Sequence, residues 1–147
     1  MSALKTLSPL DQPVSMVMTT GDLVTAESTQ DLASVLEVFR RGEINHVPVL
    51  SGGSRLVGVV SSADILKLSQ PPRETRPGWT GVKVSDVMTK NIETIRPTVQ
   101  LRQAAQLFVS GGFHSLLITA TDGELLGIVT SSDIIRALIG EHARAGD

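Results

Sequence analysis

The segment Gly58-Val59-Val60-Ser61-Ser62-Ala63-Asp64 returns as Gly127-Ile128-Val129-Thr130-Ser131-Ser132-Asp133, sixty-nine residues further along the chain. The same offset relates Leu32 to Leu101, Phe39 to Phe108, Gly42 to Gly111 and Leu56 to Leu125. Val17-Met18-Thr19 recurs as Val87-Met88-Thr89 with an offset of seventy, which places a one-residue difference in the turn that follows, Thr20-Gly21-Asp22 against Lys90-Asn91. Two related units therefore fill most of the 147 residues, and a repeat of this period constrains the architecture before any other signal is weighed. A lone unit of about fifty residues buries only a marginal share of its surface. The two copies are expected to pack together as a pseudo-two-fold pair, with related clefts between them for a ligand.

Composition narrows the function classes. With 41% hydrophobic and 19% charged residues the chain is expected to fold. Three Phe, one Trp and no Tyr leave few stacking platforms, and the net charge of −2 offers no basic face, so nucleic acid is not an expected partner. The absence of Cys removes disulfides and thiolate chemistry, and three His are a poor basis for a metal site, so none is expected. Apolar runs such as 115–120 fall far short of the ~20 residues that cross a bilayer, and the first ten residues lack the apolar core of a signal peptide. The expected location is the cytoplasm, without direct membrane insertion, either free-standing or as the cytosolic part of a larger enzyme or transporter.

Along the chain, residues 1–13, with Pro9 and Pro13, read as an N-terminal arm. The first repeat spans 14–68, a linker rich in Pro and charge spans 69–83, the second repeat spans 84–140 and a polar tail spans 141–147. Within the first repeat, Ser15 to Met18 suggests a helical turn and Leu23 to Ala26 a short strand. Leu32, Val35, Leu36 and Phe39 then recur at helical spacing up to Gly42. Two apolar runs, 47–50 and 56–60, flank Ser51-Gly52-Gly53-Ser54-Arg55 as a hairpin. Pro48 in the first run requires an edge or an unpaired N–H. A second helix starts near Ser62. The second repeat follows the same order, with Asp122-Gly123 at its hairpin turn. Each unit is thus β-α-β-β-α, an α/β protein of the α+β type. Trp79 in the linker is expected to pack on a neighbouring surface.

The repeated ending carries the chemistry. A strand closes on a hydroxyl residue, and an acid follows three positions later in the first turn of a helix: Ser61 with Asp64, Thr130 with Asp133. A carboxylate only accepts hydrogen bonds and suits the two O–H donors of a ribose diol. The hydroxyl and the N–H groups at the helix start suit a phosphate. The same spacing is also a capping box, which needs no ligand. Both readings stand at this point.

The Val-Met-Thr opening of each unit, the helices led by Leu32 and Leu101, the Val47-Pro48-Val49 strand and the two Gly-h-h-Ser/Thr-x-x-Asp endings together resemble a tandem pair of CBS domains, over roughly residues 14–140. The resemblance implies a regulatory module that binds AMP, ADP, ATP, S-adenosylmethionine or another adenosyl ligand in its clefts and pairs into a homodimer. Such a module needs no cofactor beyond that ligand, and it passes its state to a downstream effector by a conformational change, as in energy sensing. It also implies site residues: Ser61, Asp64, Thr130 and Asp133 for the ribose and phosphate, with Ser62 or Ser131 left to cap the helices. Thr25, Ala26, His46, Val47 and Pro48 in one repeat, and Thr94, Ile95, Ser115 and Leu116 in the other, would surround the adenine. The second repeat departs from the pattern by carrying Leu117 where the first has Pro48. Positive charge for a phosphate would come from Lys67, Arg136 and His114, with Arg41 and Lys90 nearby; the first two also suit simple i,i+3 ion pairs with the acids.

An enzyme is not expected. The residues offer no Gly-x-Ser-x-Gly elbow, no phosphate loop ending in Gly-Lys-Ser/Thr and no paired acids, and hence no catalytic residue. The alternative to a ligand sensor is a structural or dimerisation module whose clefts stay empty.

Overall fold

A computed structural model describes residues 8–20, 23–42, 44–68 and 81–140. Most of the expected linker, with Trp79, and the whole tail lie outside the described residues. The chain divides into two compact units, Val24–Ile92 and a second made of the segment up to Leu23 with Glu93 onward.

The first unit runs β1 (Ala26–Glu27), α1 (Leu32–Arg40), β2 (His46–Ser51), β3 (Arg55–Ser61), α2 (Ser62–Lys67) and α3 (Val84–Val87). Its sheet has the order β1-β2-β3, with β1 parallel to β2 through Ala26 and Val49, and β2 antiparallel to β3. The geometry follows from local chemistry. The parallel pair needs a crossover, which α1 supplies, and the antiparallel pair needs only a tight connection. That connection is Gly52-Gly53, with φ of +67° and +83°, and its two N–H groups are held by the Glu27 carboxylate at 3.0 and 2.8 Å. Helix α1 buries Leu32 and Val35, and the chain leaves it through Gly42 at φ +80°. Val47, Val49 and Val60 from the sheet, Val35 from α1 and Val84 from α3 form the core. Each such side chain contributes roughly 1.5–3 kcal/mol by leaving water.

The second unit repeats the plan with β4 (Thr94–Ile95), α4 (Leu101–Gly111), β5 (Ser115–Thr119), β6 (Leu125–Thr130) and α5 (Ser131–Leu138), in the sheet order β4-β5-β6. Leu101, Ala104, Leu116, Ile118, Val129 and Ile134 form its core. The β-α-β-β-α order read from the sequence is present in both units. The first strand of each is shorter than expected, two residues ending at Glu27 and Ile95.

The openings of the repeats are exchanged. Val14, which begins a 3-10 turn at Val14–Met16, is fully buried in the core of the second unit, and Leu10 from the expected arm packs there too. Val84, Val87 and Met88, which open the second repeat, pack on the core of the first. Each opening runs along the last strand of its host. Thr89 exchanges two backbone hydrogen bonds with Val59 (2.8 and 3.0 Å), and Thr19 does the same with Ile128 (2.9 and 3.1 Å). This close approach explains the repeated glycine. A Cβ on Gly58 would lie 2.8 Å from both the Thr89 carbonyl oxygen and Met88 Sδ; on Gly127 it would lie 2.7 Å from the Thr19 oxygen and 2.8 Å from Met18 Sδ. Only a residue without a side chain lets the crossing segment lie so near.

Candidate ligand site at two helix starts

In each unit the last strand runs directly into a helix, and at the junction an acid at N3 folds back on the N-cap residue; in the first unit the Asp64 N–H also donates to Ser61 Oγ, at 3.3 Å, and completes a capping box. The N-caps are Ser61 and Thr130, so Ser62 and Ser131 occupy the first helical position instead of the cap expected of them. The reason is geometric: the extended backbone of Ser61 and Thr130 lets Asp64 and Asp133, at N3, reach back to the cap N–H. Asp64 Oδ2 accepts from Ser61 N at 2.8 Å and from Ser61 Oγ at 3.1 Å. Asp133 Oδ2 accepts from Thr130 N at 2.8 Å and from Thr130 Oγ1 at 3.3 Å. Both acids are buried, at 6% and 9% exposure, so the hydroxyl-acid pairs named from the sequence are brought together.

The other oxygen of each acid has different company. Asp64 Oδ1 accepts from the Thr89 hydroxyl at 3.0 Å, with Lys67 Nζ at 4.0 Å. Asp133 Oδ1 is bonded by the Arg136 guanidinium. Thr89 was not among the residues singled out for the site. Its signal was present in the recurring Val-Met-Thr, but the sequence assigns that triplet to the second repeat, and only the exchange of openings carries it to Asp64. The equivalent Thr19 is exposed, and among the described residues its side chain makes no hydrogen bond to Asp133.

The remaining candidates divide by burial. His46 opens β2 directly opposite Ser61, and Ser115 opens β5 opposite Thr130, so both stand at the strand ends beside the acids. His46 is half-buried and Ser115 buried. Val47, Leu116, Ile95 and Ala26 are core side chains, which leaves only their backbone for a ligand. Pro48 is also buried, and it lies in the central strand of its sheet and not at an edge. Leu117, its counterpart, donates to the Glu93 carbonyl at 3.0 Å, a bond Pro48 has no N–H to repeat. Thr25, just before β1, and Thr94, which opens β4, are exposed, and His114 is exposed just before β5. Arg41 and Lys90 are exposed and no described contact joins them to either acid. Among the described residues no cluster of His, Asp and Glu is arranged to hold a metal ion, and no helix is long and apolar enough to cross a membrane.

Comparison with known proteins gives this arrangement a lineage. The family model of the CBS domain matches the chain twice, at residues 14–70 and 84–140. MJ1426 of Methanocaldococcus jannaschii is 31% identical over 137 aligned residues, covering 74% of this chain and 82% of that protein. A homoserine O-acetyltransferase of Methanohalobium evestigatum is also 31% identical, over 117 residues, but this chain spans only 22% of its length. Among solved structures, CBSX2 in complex with AMP superposes with a TM-score of 0.73 at 28% identity, covering 87% of this chain and 96% of that one. With both repeats matched and the β-α-β-β-α units in place, the chain belongs to the CBS domain family as a tandem pair.

Proposed function

We propose that this chain is a non-catalytic regulatory module that binds an adenosine-containing ligand at the Asp64 and Asp133 helix starts and signals by conformational change. The observation that carries the reading is the division of labour in each carboxylate. Oδ2 is tied to the cap, and Oδ1 faces side-chain donors that can turn away. At Asp64 the donor is a hydroxyl, the same group a ribose would bring. The structure of CBSX2 with AMP supports the ligand class. Ser61 and Thr130 stand beside the acids, and Lys67, Arg136 and His114 supply positive charge for a phosphate. Thr25, Thr94, His46 and Ser115, with the backbone of Ala26, Val47, Pro48, Ile95 and Leu116, would receive the adenine.

The module is expected to work in the cytoplasm as a homodimer that reports adenylate state to an effector. The end of helix α5 supports the pairing: Ile135 and Leu138, with Ile139 at its C-cap, recur at i, i+3, i+4 and are 56%, 49% and 69% exposed. Leu66, the counterpart of Ile135 on α2, is 65% exposed.

Isothermal titration with AMP, ADP, ATP and S-adenosylmethionine tests the reading. Saturable heat with at least one of them is expected, and silence at millimolar ligand overturns it. A second reading, a structural module without a ligand, is favoured by the burial of both acids, each bonded to the N-cap of its own helix without a ligand. Sedimentation with and without nucleotide separates the two, because a dimer indifferent to nucleotide together with silent titrations selects the structural module.

A further inference from the structure

In the second unit the oxygen that would grip a sugar is already held by a cation. Asp133 Oδ1 receives the Arg136 guanidinium, whereas Asp64 Oδ1 receives a neutral hydroxyl at 3.0 Å and has an ammonium no nearer than 4.0 Å. The side chains bearing these charges differ in the same sense: Arg136 is 41% exposed and Lys67 77%.

The two arrangements make different demands on a ligand. The Thr89 hydroxyl turns aside by rotation about one bond, and the carboxylate oxygen has a second lone pair, so a sugar hydroxyl joins or replaces it at little cost. A guanidinium on a carboxylate is a charge-assisted bond, roughly twice as strong as a neutral one. A neutral sugar does not compensate for its loss. A phosphate does, because its charge and its spread of acceptor oxygens match the guanidinium fork. A ligand that carries a phosphate on the same ribose therefore brings its own replacement for Asp133.

Resting on the reading of Asp133 as a ribose acceptor, we infer that Arg136 makes the second site selective for phosphorylated nucleosides. It masks Asp133 until a phosphate draws the guanidinium away, while the Asp64 site accepts adenosine compounds with or without phosphate. Affinity for a ligand that meets the masked form falls in proportion to the unmasked fraction, and a phosphate-bearing ligand shifts that balance furthest, because it gives the displaced guanidinium a new partner.

The test is isothermal titration of adenosine and AMP into the wild-type chain, Arg136→Met and Lys67→Met, with Asp64→Asn and Asp133→Asn assigning the sites. Both cationic side chains are partly or largely exposed, so neither methionine empties a core. At the Asp133-dependent site AMP is expected to bind about tenfold or more tighter than adenosine, and Arg136→Met to shrink that preference to about threefold by weakening AMP and strengthening adenosine. Lys67→Met is expected to leave the ratio there unchanged. In parallel, the Arg136 Nε–H resonance, assigned by its loss in Arg136→Met, is expected to move at about tenfold or more lower concentration of AMP than of adenosine. Equal affinity for the two ligands at that site, a preference that survives Arg136→Met, or binding that depends on Asp64 alone overturns the inference and leaves the functional reading standing. Silence toward every adenosine compound in the wild-type chain overturns the functional reading itself, and this inference with it.

Discussion

Asp64 and Asp133 are held alike through one oxygen and differently through the other. Oδ2 of each accepts a cap N–H at 2.8 Å. Oδ1 meets Thr89 and, more distantly, Lys67 in the first unit, and Arg136 in the second. The difference follows from the chemistry of the partners. The cap donor is main chain, present whatever the sequence, so any duplicated strand-to-helix junction rebuilds it. The donors to Oδ1 are side chains, so single substitutions such as Lys67 against Arg136 give the two copies different sites on one scaffold. Pro48 and Leu117 repeat the lesson at the sheet. One residue type removes a backbone donor and the other uses it, within the same strand order.

The comparison breaks most visibly if the acids are removed. Asp64→Ala and Asp133→Ala should each weaken nucleotide binding at their own site by about 1.5–3 kcal/mol, the range of a hydrogen bond to a charged group. Each should also lower stability by about 0.5–2 kcal/mol through loss of the cap. Titration calorimetry alongside urea unfolding measures both. Unchanged affinity in both variants would show that the acids serve the fold alone.

Next come the glycines, where the two units should behave alike. Gly58→Val and Gly127→Val force a branched side chain against a carbonyl oxygen and a methionine sulfur under 3 Å away. Each should cost about 1–3 kcal/mol, as overpacking does. A large effect at one and none at the other, measured by urea unfolding, would mean that one opening segment is not held as described.

Thr89→Val and Thr19→Val sharpen the contrast. The first removes the bond to Asp64 Oδ1 and should destabilise the chain by about 1 kcal/mol; the second removes no described side-chain bond and should be close to neutral. Equal effects would remove the basis for calling the sites different.

The smallest effect is expected at Glu37. The Arg40 side chain bonded to it, helped by Arg41 and opposed by slight desolvation, holds its carboxyl below the usual value of 4.5. A folded pKa below the unfolded one stabilises above the unfolded value, and that contribution is lost as pH falls through the folded value. The pair is exposed, so solvent screening leaves it little weight. The second unit has Gln106 and Val109 at these positions. Glu37→Gln should leave the acid-unfolding midpoint within experimental error, and a clear shift would give this pair a role the second unit lacks.

Much of this was legible in the residues. The order of elements followed from period, turn glycines and helix stops, because those signals are local: Gly42 and Gly52-Gly53 mark ends that any chain with that backbone must have. The pairing of Ser61 with Asp64 and Thr130 with Asp133 was equally local, set by a three-residue separation at a helix start. Thr89 was not legible as a partner of Asp64, since nothing within reach of either residue in the sequence connects them. Nor were the core roles of Val47, Ile95 and Leu116 separable from adenine contacts, because an apolar side chain reads the same in either setting.

The amino-acid order alone thus determined two β-α-β-β-α units with an acid at each final helix start, because turns, periodicity and caps act over a few residues. Tertiary structure alone decided that each opening segment crosses to the other repeat's sheet, why Gly58 and Gly127 must lack a side chain, and which donor meets each Oδ1. Those outcomes depend on which surfaces bury each other, and burial brings together residues that the chain itself keeps apart.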